Sequence, residues 1–132
     1  MNDQSTTVAA DAVAITNLAV LRGCVRGAPV IRALPSGSTV LQFDLTTTII
    51  GDGRTLTISV PVAWADPSRA ATGLVTDGAD LVVVGSVRRR FFRVGGATQS
   101  RTEVVVDSAI PARRRKQVSA ALGRLVDRLA IA

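Results

Sequence analysis

The sequence predicts an all-β chain: a five-stranded barrel with a short helix between its third and fourth strands, plus an amphipathic C-terminal helix. Three observations predict it. Apolar runs of strand length recur five times between residues 17 and 110, with Pro and Gly at the turns between them. One helix-start signal, Asp66-Pro67, falls between the third and fourth runs. Beyond residue 117 the apolar spacing becomes helical. A chain of 132 residues suits one domain with a core of its own. The pattern divides it into a mobile N-terminal tail (1–16), the barrel (17–110) and a basic amphipathic helix (111–132).

The tail is rich in Ser, Thr and Ala and mildly acidic. The first strand starts at Asn17. Leu18, Val20 and Cys24 share one face; Ala19, Leu21 and Val25 share the other. Gly23 marks a bulge or sharp bend, and Ala28-Pro29 is expected to break the strand. A short extended piece, Ile31 to Leu34, leads to the turn Pro35-Ser36-Gly37-Ser38. In the second strand, Val40 to Ile50, Leu41, Phe43 and Leu45 face the core. Gly51-Asp52-Gly53 closes a tight hairpin, and Arg54 to Trp64 returns as the third strand. Asp66 then caps a helix running to about Thr76, whose Ala70, Ala71, Leu74 and Val75 form a stripe fit to plug a barrel end.

The fourth strand, residues 80–93, has two characters. Leu81 to Val84 is a continuous apolar run suited to burial on both sides. Gly85 interrupts it, where a barrel strand bends or bulges. Arg88, Arg89, Arg90 and Arg93 then bracket Phe91 and Phe92. Cations neutralise phosphates and exposed rings stack on unpaired bases, so this half suits a single-stranded nucleic acid. It equally suits a solvated arginine edge that discourages aggregation. Gly95-Gly96 turns into the fifth strand, Arg101 to Ala109. Three strands, a helix and two strands is the layout of an OB-fold barrel.

Composition narrows the chemistry. The net charge is +6, carried by fifteen Arg and one Lys, which favours an anionic partner. There is no His, and Cys24 stands alone. The commonest general base, a cysteine zinc site and an internal disulfide are thereby excluded. No carboxylate pairing supports acid–base work, so neither an enzyme nor a cofactor or metal is expected. No run is long enough to span a membrane, and Asp3 and Asp11 do not suit a signal peptide, so the expected compartment is the cytoplasm. Cys24 reads as a small packing residue. Phe43 reads as core, and Trp64 as either half-buried at the barrel rim or a stacking platform. Alternation places one of Phe91 and Phe92 inward and the other outward.

The segment Asn17-Leu-Ala-Val-Leu-Arg-Gly23, continuing through Pro29, Arg32 and Gly37, resembles the opening of bacterial single-stranded DNA-binding proteins, roughly N-x-V-x-L-x-G-x-L-x-x-D-P-x-x-R-x-x-x-x-G. Val62-Ala63-Trp64 is similar to that family's V-x-W/F step before the helix. Residues 77–90 resemble its K-G-x-x-V-x-V-E-G-x-L-R-x-R strand, and Thr102 to Asp107 its last strand. The resemblance covers about residues 17–110. It implies an OB barrel, usually a homotetramer, that wraps single-stranded DNA without sequence preference. It implies base stacking at Trp64 and Phe92, the strand's two arginines at Arg88 and Arg90, and the family arginine at Arg32. Phe92 is then the outward ring.

The chain also departs from that pattern. Its second hairpin is short, and the stacking aromatics expected near Ile49 and Ile58 are absent. Each stacked base contributes roughly 1–3 kcal/mol, so affinity is expected to be modest. Instead of an acidic C-terminal tip there is Pro111-Ala-Arg113-Arg114-Arg115-Lys116, then Val118, Leu122, Leu125 and Leu129 at helical spacing. The leucines suit packing on the barrel or on a partner; the cations suit an extended phosphate track. The expected function is non-sequence-specific binding of single-stranded DNA in replication, recombination or repair. Arg88, Arg90 and Arg93 would meet phosphates, and Phe92 and Trp64 would meet bases. Arg32 and Arg113 to Lys116 complete the expected site. The expected assembly is a homodimer or homotetramer, with a protein partner possible through the C-terminal helix. The alternative is an OB-fold interaction or scaffold subunit with weak or no nucleic-acid binding.

Overall fold

The computed structural model describes residues 15–129. Most of the expected tail, residues 1–14, lies outside them, as do residues 130–132. The strands are β1 (Ala19–Ala33), β2 (Thr39–Gly51), β3 (Arg54–Ala65), β4 (Asp80–Val94) and β5 (Ala97–Pro111). Helix α1 (Arg69–Leu74) joins β3 to β4, and α2 (Arg115–Arg128) follows β5. The strands close in the order β1-β2-β3-β5-β4. Closure is parallel, through Val62 opposite Val104 and Ala63 opposite Val105. This is the expected OB-fold barrel.

Alternation builds the core. Leu41, Phe43 and Leu45 of β2 are buried, with Val25 of β1, Leu81 and Val83 of β4 and Val104 and Val106 of β5. The continuous run in β4 is buried on both sides, as its composition requires. Leu81 and Val83 face the core, whereas Val82 and Val84 are buried outside it with Ile110. Val82 shares a cavity wall with Val118 and Leu122 of α2, and Val84 shares another with Ala121 and Leu125. The leucine stripe of α2 therefore lies over the outer face of β4 and β5 in the same chain.

Two glycines permit closure. A Cβ at Gly85 would collide with the backbone carbonyl of Val105, and one at Gly23 with that of Thr46. The β4–β5 register slips between Val84 and Gly85, where a bend or bulge is expected, and the extra residue is Asp107 on β5. β1 changes partner beside Gly23: residues 19–24 pair with β4, and residues from Cys24 onward pair with β2.

Four local expectations are corrected. Ala28-Pro29 does not end β1. The register slips between Arg26 and Val30, so Pro29 sits in a bulge and costs no ladder hydrogen bond. The Gly27 N–H instead donates to the Asp77 carboxylate at 2.9 Å. The cap of α1 is Ser68, whose Oγ accepts from the Ala71 N–H at 3.1 Å. Asp66, at φ 45°, instead accepts from the Thr39 N–H at 2.8 Å and ties the end of β3 to the start of β2. β5 begins at Ala97 because the Gly95-Gly96 turn lets pairing run to its tip. Cys24 is exposed and not packed, since it shares the outward parity of Val20. Of the stripe expected to plug the barrel end, Val75, the C-cap just beyond α1, is buried in the core; Ala71 and Leu74 are half-buried and Ala70 is exposed.

Candidate nucleic-acid interface

Both halves of the sheet extend beyond the barrel wall. β1 pairs with β4 only from Asp80 to Gly85, so residues 86–94 pair with β5 alone. Asn17 finishes the β1–β4 ladder with its side chain. Its carboxamide donates to the Val87 carbonyl at 2.8 Å and accepts from the Val87 N–H at 2.9 Å. Likewise β1 pairs with β2 only as far as Thr46, so residues 47–58 continue as a second hairpin arm.

On the β4–β5 arm, side-chain alternation separates two faces. One carries Arg88, Arg90 and Phe92, opposite Glu103, Arg101 and Gln99. Glu103 is the only glutamate of the chain and is 3% exposed. Its Oε1 accepts from Arg88 Nη2 at 2.8 Å and lies 3.3 Å from Arg90 Nε. Arg90 Nε is buried without a well-directed hydrogen bond. The same guanidinium lies 5.6 Å from the centroid of the Phe92 ring, a cation–π distance. A buried carboxylate thus holds two guanidinium groups whose side chains remain 51% and 40% exposed. Two positive charges and one negative leave one net positive charge here. Arg101 Nη2 lies 3.7 Å from Asp44 Oδ1 and links the arm to β2.

Beside this face runs a groove of about 260 Å³, lined among others by Arg32, Gln42, Ala63, Arg88, Arg90 and Val105. Arg32 Nε donates to Gln42 Oε1 at 2.5 Å. Three of the expected residues, Arg32, Arg88 and Arg90, therefore converge, and Phe92 flanks them half-buried. The others do not join them. Trp64 lies on the inner face of β3, opposite Leu41, and packs half-buried against the core. Arg93 is on the other face of the arm and donates to the Gly96 carbonyl at 2.8 Å, bracing its own turn. Arg113 to Lys116 lie where β5 passes into α2, and the Ala112 N–H donates to the Asp80 carbonyl there. Ten residues of β4 separate Asp80 from Arg90, roughly 30 Å at strand rise.

The arm's second face carries Arg89, Phe91 and Arg93 opposite Thr102, Ser100 and Thr98. Phe92 keeps the outward parity expected of it, shared with Val82 and Val84. Phe91 is nevertheless the more exposed ring at 66%, because the arm runs past the barrel and nothing among the described residues covers its other face. Arg89 Nε contacts Ser100 Oγ at 3.3 Å. Phe91 and Glu103 are the residues that sequence reasoning missed. Their signals were present: period-two alternation groups Phe91 with Arg89 and Arg93, and Glu103 stands at the head of a valine run. On the second hairpin Ile49 and Leu56 pair across the ladder, both exposed.

Among the described residues no cluster of three or more His, Cys, Asp or Glu forms a metal site, and no helix is long and apolar enough to cross a membrane. The fold and groove define the class: an OB barrel with a basic outer groove and an aromatic arm. No family model and no curated protein matches the sequence. Among solved structures, the barrel is similar to a Plasmodium falciparum SSB in complex with single-stranded DNA. The TM-score is 0.60 at 19% identity, over 73% of this chain and 92% of that one. That likeness establishes a shared barrel fold.

Proposed function

We propose that this protein binds single-stranded DNA without sequence preference, through the outer groove and the β4–β5 arm. The observation that carries the reading is the convergence of Arg32, Arg88 and Arg90 on one groove beside Phe92. Guanidinium groups held in place lose little freedom on meeting a phosphate and offer forked donors to its oxygens. Phe92, braced by Arg90, and the open Phe91 ring supply stacking surfaces on opposite faces of the arm. Arg93 and the rim residue Trp64 serve as secondary contacts, and Arg113 to Lys116 as a distant phosphate patch. A dimer or tetramer of such barrels in the cytoplasm would align several grooves along one strand during replication, recombination or repair. Light scattering with and without oligonucleotide measures that mass.

The test is titration of a labelled oligo-dT at low and moderate salt, with a duplex control. Replacing Arg88 and Arg90 alone would leave Glu103 buried without a partner. The informative variant is therefore Arg88→Ala/Arg90→Ala/Glu103→Gln. Each lost phosphate contact should flatten the log–log salt dependence by roughly 0.7. We expect a loss of about 1.4 in slope and weaker binding at low salt. Unchanged affinity and slope would remove the groove from the site. No binding by the unaltered protein at low salt would favour a scaffold role.

A further inference from the structure

A second cavity lies on another part of the barrel's outer face, under the first two turns of α2. It measures about 800 Å³ and is lined by residues of β1, β4, the β5–α2 junction and α2. Val20, Val82, Val118 and Leu122 form an apolar floor. Arg22, Asp80, Arg113 and Arg115 stand around it. Arg22 is engaged: its Nη2 lies 3.0 Å from Asp80 Oδ2 and its Nε 3.3 Å from Oδ1. Among the described residues no carboxylate lies within ion-pair distance of Arg113 or Arg115. The lining thus carries three positive charges and one negative, a net of two positive. The first turn of α2 contains no acidic residue, so nothing in that turn offsets those cations.

The shape argues against a small enclosed ligand. Val20 is still 43% exposed, so the cavity is a trough open to solvent. Sites for small molecules bury most of their ligand's surface, whereas a trough beside a helix accepts side chains of an extended or helical segment. Charge complementarity sets the rest of the chemistry. We infer that this trough docks a segment of a protein partner in which aspartate or glutamate alternates with bulky apolar side chains. The apolar side chains cover Val20, Val82, Val118 and Leu122, and the carboxylates meet Arg113 and Arg115. The trough shares no residue with the proposed DNA groove. Although Arg113 and Arg115 also belong to the distant phosphate patch, its test is made without DNA and stands whether or not that proposal holds.

The experiment uses the full chain and a fluorescein-labelled octapeptide of alternating aspartate and leucine, followed by anisotropy. Two control peptides replace all aspartates by asparagine or all leucines by serine. We expect saturable binding of the parent peptide and at least tenfold weaker binding of each control. Arg113→Glu/Arg115→Glu should weaken the parent by roughly tenfold or more, on the scale of two surface ion pairs lost and reversed. Both arginines are exposed, so this variant should fold, and Val20→Ser at the trough floor gives an independent second weakening. The groove variant Arg88→Ala/Arg90→Ala/Glu103→Gln should bind the peptide unchanged. Equal binding of either control peptide, or no effect of the Arg113/Arg115 change, would overturn the inference. So would displacement of the peptide by stoichiometric oligo-dT, which would assign the trough to nucleic acid.

Discussion

The two halves of β4 are one continuous strand in two environments. From Leu81 to Val84 every side chain is buried, alternately by the barrel core and by α2. From Val87 to Val94 most are exposed, and the strand has only β5 beside it. The register slip at Gly85 separates the halves. In the first half apolar burial fixes the strand, at roughly 25 cal/mol per Å² removed from water. In the second, a single buried carboxylate does the fixing, and it fixes cations. Stability and the proposed DNA binding are thus written on the same strand, and substitutions in its two halves should separate them.

The largest effect belongs to the wall. Leu81 is fully buried in the core. Leu81→Ala should lower unfolding free energy by about 2–5 kcal/mol, by lost transfer energy and the cavity left behind. Urea denaturation reads this directly. Where the variant is still folded, its affinity for oligo-dT should stay within twofold of the parent. A parallel loss of affinity would show that the two halves are not separable.

Gly85→Ala attacks the joint. Its methyl would meet the Val105 carbonyl, which belongs to backbone and cannot swing away. The register of the arm must shift to make room. We expect about 1–3 kcal/mol of destabilisation, the range for overpacking. Unlike Leu81→Ala, this change should also weaken DNA binding, because Arg88 and Arg90 move with the arm. Stability loss with untouched binding would mean that the bulge does not aim the arginines.

How much of this was legible follows the same division. The wall was readable because burial leaves a periodic trace: Leu41, Phe43 and Leu45 alternate, and Leu81 to Val84 run unbroken. The bulge at Gly85 was readable because few residues other than glycine interrupt such a run. The arm was readable in composition but not in geometry. Alternation along β4 keeps Phe92 on the outer side with Val82 and Val84, and Phe91 on the side of Val83. What no local pattern encodes is that the arm runs past the barrel, which uncovers the side of Phe91. Pairing of Arg88 and Arg90 with Glu103 is a cross-strand contact between residues 15 and 13 positions apart, which no local pattern encodes. Helix limits failed for a similar reason. Ser68 and Asp66 are both good caps by type, and the tertiary bond from Thr39 claims Asp66.

The rings give the next prediction. Phe91→Ala removes an exposed side chain and should leave stability within about 0.5 kcal/mol. A base stacked there would cost roughly 1–3 kcal/mol of binding, or about five- to 150-fold in affinity. Phe92→Ala should weaken binding by less than Phe91→Ala, since its ring is half-buried and partly covered by Arg90. It should cost more stability for the same reason. The opposite ranking in affinity would restore Phe92 as the principal stacking ring.

The smallest effect sits at the start of β4, where Asp80 meets Arg22 across the β1–β4 ladder. The hydrogen bond from Arg22 holds the Asp80 carboxyl below its ordinary value. A carboxylate whose pKa is lowered by folding adds stability above its unfolded value, near 3.9, and loses it as pH falls through the folded one. The pair is solvent-exposed, so its contribution is screened and small. Asp80→Asn should therefore be slightly less stable than the parent at pH 7. The difference should shrink as pH falls from the unfolded value toward and through the lowered folded one. Paired urea melts at pH 7 and pH 3 measure this. A difference that did not shrink between pH 7 and pH 3 would show that Asp80 acts through its shape at the rim of the trough, and not through its charge.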